Sequence, residues 1–363
     1  MGDAYDPRFA QLQVVNPWEI GMTRPFARLP VHPACAALRS GIGVLGALLL
    51  AATSAFAADH LLYLEAQGVA GYDFRDREAQ YFSMNPQAEM QKPSIGFDYL
   101  QRFSGESGDW GSAGLQVRLA VVEENERFKT VQPQVYNAWV RAKSWLTDAW
   151  IGHFRPALGL GSYFDSHGLL LRTLPIQGFG YDRDWGVGTY RDFSWGNLQL
   201  SATTGSGMPI EVRGNYLLAG RVSWGVLSQD NFNPGLSVGY GRTLDTMGYT
   251  LRDPTPQPMR LGGVDFTLLR DALEHRFDLL GGEWLGKETL AVMYRLSWAV
   301  DAEGRTRLEA QPAWWKSGTQ TALLSACVSH LLTPDLTGRL MYEYNTRRGD
   351  QRVVLQLYWY HRL

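Results

Sequence analysis

Leu115-Gln116-Val117-Arg118-Leu119-Ala120-Val121, LQVRLAV, alternates with a period of two: Leu115, Val117, Leu119 and Val121 fall on one face, Gln116 and Arg118 on the other. Successive side chains of an extended chain point to opposite sides, so this is a strand with one greasy and one wet face. The pattern recurs outward from this stretch. Leu198, Leu200 and Ala202 alternate with Gln199, Ser201 and Thr203, and Leu290, Val292, Tyr294, Leu296 and Trp298 with Met293, Arg295 and Ser297. Leu308, Ala310 and Trp314 alternate with Arg307, Glu309 and Gln311, and Leu336, Leu340, Tyr342 and Tyr344 with Thr337, Arg339 and Glu343.

Two architectures can cover such apolar faces. A soluble sandwich pairs them; a membrane barrel turns them all to lipid and keeps polar residues inside. Strands of about nine to eleven residues, the length a tilted strand needs to cross a bilayer, favour the barrel. So do aromatics near strand ends, which suit interface girdles: Phe97, Tyr99, Phe103, Trp145, Trp150, Trp224, Trp298, Trp314, Trp315, Tyr342, Tyr344, Trp359 and Tyr360. The many Arg, Asp and Glu on the polar face could not sit unpaired in a sandwich core. The expected fold is all-β, a transmembrane antiparallel β-barrel of about sixteen strands with an inward-folded loop.

Composition agrees. The 363 residues include thirteen Trp, seventeen Tyr, fifteen Phe and thirty-nine Gly but two Cys, and the formal charge of -2 gives no reason to expect nucleic acid. A slightly negative mean hydropathy excludes nothing, because an alternating strand averages to the same value.

At the amino end, Gly41 to Ala57 is an apolar run preceded by Arg24, Arg28 and Arg39 and closed by Ala55-Phe56-Ala57, an A-x-A cleavage pattern. Residues 1–57 are therefore expected to be a leader and cleaved signal peptide, with the true start at Met22 considered, and 58–363 the barrel. A short transmembrane anchor is the alternative, for which the run is short against ~30 Å of hydrocarbon. Cys35 would leave with the signal, so Cys327 has no partner for an internal disulfide; no Cys follows the cleavage site to carry a lipid anchor. The expected location is the outer membrane of a Gram-negative bacterium.

Strands are expected near 61–72, 94–103, 113–122, 134–144, 147–154, 183–193, 196–204, 213–225, 235–242, 258–268, 276–284, 289–300, 306–315, 320–330, 335–345 and 351–363, with DALEHRFDLLGGEWL around 271–285 also compatible with a helix. The even count returns both chain ends to the periplasmic side. Asp73 to Ser94 and Thr243 to Gln257 become long outer loops, while Asp301 to Gly304 and Thr333 to Asp335 become short turns. In the last strand Val353, Leu355, Leu357, Trp359 and Leu363 share one parity. This resembles the signal that outer-membrane barrels present to their assembly machinery, with Leu363 where Phe is common and His361 where a hydrophobe is typical.

The long connection between the fifth and sixth strands lies within Gly152 to Gly188, GHFRPALGLGSYFDSHGLLLRTLPIQGFGYDRDWGVG. Gly152-His153-Phe154-Arg155-Pro156, leading to Leu158-Gly159-Leu160, and Arg183-Asp184-Trp185-Gly186 opening the next strand resemble the porin superfamily that includes the phosphate-selective porins O and P. Gly262-Gly263-Val264-Asp265 followed by Gly282-Glu283-Trp284 resembles a late hairpin of the same group. The resemblance implies a passive channel for small solutes or ions, a trimer in outer-membrane lipid, with this connection folded inward as the constriction.

Asp165, Ser166 and His167 with His153 raise a hydrolase or a metal site, but neighbours on an extended loop point in different directions. No enzyme, metal or cofactor is expected; Asp165 and His167 read better as capping a turn or tying the loop to the wall. Constriction candidates are Arg155, Asp165, His167, Arg172 and Arg183. On the inward parity lie Arg102, Arg118, Arg141, Arg221, Arg295, Arg307, Arg339 and Arg352 against Glu65, Asp98, Asp265, Glu309 and Glu343. An excess of arginine points to weak anion preference; the alternative is that these arginines pair with the acids and leave little field. Two other readings stay open: a sheath around a periplasmic multihaem cytochrome, the haem belonging to the partner since no C-x-x-C-H occurs, and a structural barrel with a plugged lumen.

Overall fold

The alternation closes into a barrel. In a computed structural model describing residues 60–80, 92–106, 108–125, 128–226 and 230–363, the strands are β1 (His60–Asp73), β2 (Glu78–Gln80), β3 (Ser94–Gly105), β4 (Gly108–Asn125), β5 (Phe128–Ala142), β6 (Asp148–Phe154), β7 (Asp184–Phe193), β8 (Gly196–Thr203) and β9 (Tyr216–Trp224). They continue as β10 (Phe232–Met247), β11 (Thr250–Arg270), β12 (Leu273–Trp284), β13 (Lys287–Ala299), β14 (Thr306–Ser317), β15 (Thr319–Thr333), β16 (Leu336–Asn345) and β17 (Asp350–Arg362). Each pairs antiparallel with its neighbour, and β17 returns to β1 in the register Tyr63 to Arg362 and Gly68 to Leu357. The three-residue β2 extends the β1 edge, so the wall itself has sixteen strands. The expected leader and signal peptide, and residues 81–91 of the expected first outer loop, lie outside the described residues.

Closure leaves no strand edge unpaired, so the backbone polar groups of the wall are satisfied within the sheet, as a lipid-facing structure requires. The outward parity carries Ile95, Leu119, Ile151, Leu200, Leu218, Val238, Leu324 and Leu355, all exposed, with Val238 at 66%. The inward parity carries Arg118, Gln134, Ser201, Arg221, Ser325 and Gln356, all buried. LQVRLAV is thus read correctly, with Leu119 outside and Arg118 inside.

Four expectations are corrected. Wall strands run from seven residues in β6 to twenty-one in β11 rather than staying near ten. Thr243 to Gln257 is no outer loop: β10 and β11 stay paired to Met247 and Thr250, with register shifts at Thr243/Asp245 and Asp245/Thr246. Such bulges bend and twist a strand, and alternation is lost at them, which hides the strand from a periodicity reading. Three of the aromatics expected in the girdles turn inward: Trp150 is buried, Trp315 packs on Phe179, and the Tyr360 hydroxyl donates to Asp98 at 2.9 Å. Finally, the inside is not uniformly polar, since Leu217, Met259, Leu261, Leu280, Ala291 and Met293 line part of the lumen. The stretch compatible with a helix is β12.

The outward face sets a test. Val238→Arg places a charge near the middle of the apolar belt and is expected to destabilise the barrel by about 2–4 kcal/mol in lipid vesicles. Val238→Leu, which keeps the position apolar, is expected to leave urea unfolding in vesicles nearly unchanged.

Candidate functional site

Between β6 and β7, residues 155–183 leave the wall and cross the lumen. The departure begins at Gly152, whose φ is +127° and where an added Cβ would stand 2.1 Å from the Ala138 carbonyl oxygen. Only glycine tolerates that pairing, which explains why a glycine opens the GHFRP motif. The return is clamped by Asp184. Its carboxylate accepts from Thr204 Oγ1 at 2.8 Å and from the backbone N–H groups of Gly205, Ser206 and Gly207 at 2.7, 3.2 and 3.0 Å. The Arg-Asp-Trp-Gly motif is therefore an anchor joining the end of the segment to the β8–β9 connection.

Inside the barrel the segment meets the wall on many sides. Ala157 N donates to Ser201 Oγ of β8 and Gly159 N to Ser237 Oγ of β10. Tyr163 Oη donates to Asp265 of β11 under the Arg221 guanidinium, and Phe164 lies beneath Arg276 of β12, 3.5 Å from ring centre to guanidinium. Arg295 donates to the Leu171 carbonyl, Gln311 to that of Arg172, and Arg339 and Gln356 to that of Gly168. These contacts give partners to carbonyls that neither helix nor sheet pairs here. Inward side chains at this level are buried around the wall, among them Glu65, Arg118, Gln134, Leu217, Thr243, Met259, Asp278, Arg295, Gln311, Leu323, Glu343 and Gln356. The segment fills the cross-section.

Its two flanks are anchored differently. Ala157, Leu158, Leu160, Leu174, Phe179 and Tyr181 join the apolar lining of β9, β11, β12 and β13 in one packed cluster, and Leu170 and Leu171 join a smaller one with Val69, Cys327, Met341 and Val354. Parting such packing costs about 1.5–3 kcal/mol for each large side chain exposed. Toward β1, β3, β4 and β5 the segment instead meets Glu65 and Tyr136 through His167 and Asn137 through Arg183, on a wall whose buried inward groups Glu65, Gln67, Ser94, Gln116, Arg118 and Gln134 are polar. A neutral hydrogen bond there exchanges with water for only about 0.5–1.5 kcal/mol net.

The five constriction candidates divide. Arg155, Asp165 and Arg183 come together: Asp165 pairs with Arg155, and with Arg183 at 3.4 Å, and its Oδ1 also accepts the His167 N–H. Burial works to raise the Asp165 carboxyl, but the two guanidiniums outweigh it and hold the group below the usual carboxylate range. His167 Nε2 lies 2.6 Å from Glu65 Oε2 on β1, its ring 4.4 Å from that of Tyr136. Arg172 stands apart, 2.6 Å from Glu343 of β16, which Arg352 shares. The turn-capping and wall-tying reading of Asp165 and His167 holds. Ser166 Oγ points to Asp182, not to His167, and the His153 ring stacks on Trp185, so neither the triad nor the metal grouping is assembled. Among the described residues no cluster of three His, Cys, Asp or Glu could hold a metal.

The wall candidates all face inward, but most are paired. Arg221 meets Asp265 at 2.6 Å, Glu309 accepts from Ser297, Arg118 donates to Gln134, and Arg141 lies beside Asp148 toward the turn-bearing end, away from the segment. Arg295 and Arg339 donate to neutral amide and carbonyl oxygens. Tyr136, Asp182, Arg276 and Asp278 were missed. Tyr136 sits at the register shift in the β4–β5 pairing between Gln116 and Val117, where parity cannot be read, and the others had no motif to mark them.

No family model and no curated protein sequence matches this chain. Solved structures do. A loop L8 deletion mutant of OmpT from Vibrio cholerae superimposes with a TM-score of 0.60 at 12% identity, covering 84% of this chain and 99% of that one. The chain has the fold of the outer-membrane porins. OmpF of Salmonella typhi, in complex with daunomycin, matches at 0.60 with 10% identity over 84% and 97% of the two chains. The anion-selective porin of Comamonas acidovorans matches at 0.56 with 12% identity over 85% and 100%. In this porin fold the lumen is occupied by the chain's own segment, which leaves the cytochrome-sheath reading without support.

The Arg172–Glu343–Arg352 group gives a prediction. Glu343→Gln strands two guanidiniums in a buried site and is expected to cost about 3–5 kcal/mol in urea unfolding from vesicles. Arg75→Gln, which removes an exposed pair with Asp350, is expected to cost at most about 1 kcal/mol.

Proposed function

We propose that this protein is an outer-membrane channel for small hydrophilic solutes, in which the segment 155–183 sets the passage. The observation that carries this reading is the segment itself: a porin-fold barrel whose one long inward connection is fixed by charged and apolar contacts across the lumen. The apolar outer belt, the closed sheet and the terminal strand with Leu355 and Leu357 outward support an outer-membrane location, with lipid and the assembly machinery as partners. A trimer in lipid belongs to the same reading, as does the nearer likeness to the phosphate-selective type, which rests on the motifs around Gly152 and Arg183.

Selectivity is read as weak anion preference. Arg155 and Arg183 of the segment share the half-exposed carboxylate of Asp165, and Arg183 also meets Asp182 at 3.2 Å; with Arg295 and Arg339 bonded only to neutral oxygens, cation density still slightly exceeds acid density along the segment. The pairing of Arg172, Arg221 and Arg276 with acids keeps the preference small. A second reading, a structural barrel with a permanently filled lumen, is favoured by the same filled cross-section.

Planar-bilayer recording separates them. The intact protein is expected to show small conductance, and deletion of Ala157 to Phe179 to raise it by about tenfold, because a bare sixteen-stranded lumen is wide enough for an aqueous channel. Conductance that the deletion does not raise would overturn the assignment of the segment, and none in the intact protein would favour the filled barrel. In a salt gradient the reversal potential is expected to show modest anion preference, reduced in Arg295→Gln and Arg339→Gln; clear cation preference would contradict it.

A further inference from the structure

The lumen has one flank that opens cheaply and one that does not. On the β9 to β13 side the segment is welded to the wall through the larger apolar cluster. On the β1, β3, β4 and β5 side the Asp165 to His167 turn faces a mostly polar wall, apart from Tyr136 of β5 and Val69 of β1, and its polar groups form a ladder: Gln67 with Gln356, Gln116 with Asn137, Asn137 with Arg183, and Arg118 with Gln134. Each rung can exchange its partner for water at a small net cost.

Two contacts close this flank in series. The first is His167 against Glu65 at 2.6 Å, with the Tyr358 hydroxyl on the same carboxylate oxygen at 3.1 Å. The second lies toward the other face of the segment, where the bulged β10–β11 hairpin leans over the lumen. Its tip reaches β5: Tyr249 Oη donates to the Val135 carbonyl at 2.8 Å, and the ring packs on Tyr136 and Met208. Tyr136 is also the ring against which His167 lies, so the two closures share a side chain.

We propose that solute passes between the Asp165 to His167 turn and the polar wall of β1, β3, β4 and β5, and that the His167–Glu65 contact, roofed by Tyr249, is the gate closing this route. The proposal rests on the channel reading and adds its route and its gate. The apolar flank stays shut while the polar flank hydrates. The bulges at Thr243 to Thr246 provide the bend about which the tip leaves Tyr136.

Cysteine accessibility tests it in folded protein in lipid vesicles. In a Cys327→Ser background, Ser94→Cys and Gln116→Cys report on the polar wall, and Ala219→Cys and Ala291→Cys on the apolar flank. The probe is a charged, water-soluble methanethiosulfonate, read by mass spectrometry and by current. The polar-wall cysteines are expected to be modified, with a fall in current, and the apolar ones to stay unmodified. Glu65→Gln and His167→Ala are each expected to speed polar-wall modification by about tenfold, the effect of losing one charge-assisted hydrogen bond; Tyr249→Ala is expected to act in the same direction. Modification of the apolar cysteines, or none on the polar wall in any variant, would overturn the route. Rates unchanged in all three variants would overturn the gate. Polar-wall modification with no current would support the hydrated flank and tell against the channel reading instead.

Discussion

A connection that runs through the inside of a barrel must find a partner for each backbone group it carries there, and everything particular to this protein follows from how residues 155–183 meet that requirement. Local turns of the segment pair carbonyls such as those of Gly159, Ser166, Thr173 and Pro175, while those of Gly168, Leu171 and Arg172 look to the wall. Arg295, Gln311, Arg339 and Gln356 supply donors from β13, β14, β16 and β17, and Ser201 and Ser237 accept from the segment on the opposite side. The inward arginines are thus structural before they are electrostatic. A guanidinium offers several donors in a fixed fork, enough to hold a carbonyl of the segment and a neighbour on the wall together, as Arg295 does with Leu171 and Gln311.

The same demand shapes the entrance and the exit. Gly152 permits a backbone turn that any Cβ would block, and Asp184 gathers the N–H groups of the β8–β9 connection. Between them the Asp165 carboxylate, set against Arg155 and Arg183, ties the middle of the segment to its own ends. An apolar flank then resists displacement by excluding water, while a polar flank stays together only as long as its groups prefer one another to water. On the proposed route, that asymmetry makes one wall the scaffold and the other the passage.

Much of the wall was legible in the sequence because a strand between lipid and lumen must alternate, and LQVRLAV or LAVMYRLSW can hardly be read otherwise. The position of the inward segment followed from counting strands. What escaped lies where alternation breaks or stops informing. The bulges around Asp245 hid the top of β10 and β11. Trp150, Trp315 and Tyr360 read as girdle residues because an aromatic near a strand end looks the same in sequence whether it faces lipid or the barrel interior. The apolar lumen lining was missed because Leu217, Met259 and Leu280 have partners only once Leu158, Leu160 and Leu174 are folded against them. Of the candidate site, the charged residues were named but not their pairing, which depends on contacts such as Arg172 with Glu343 that are distant in sequence.

The central claim is that the segment is a packed part of the barrel rather than a surface loop, and amide hydrogen exchange of the protein in lipid addresses it directly. The backbone amides of residues 157–183 should be protected on the timescale of the wall strands, with Ala157, Gly159, Gln177 and Phe179 among the slowest, since each donates to a partner inside the barrel. Exchange across the segment as fast as in the exposed turns at 301–304 and 346–349 would contradict the account.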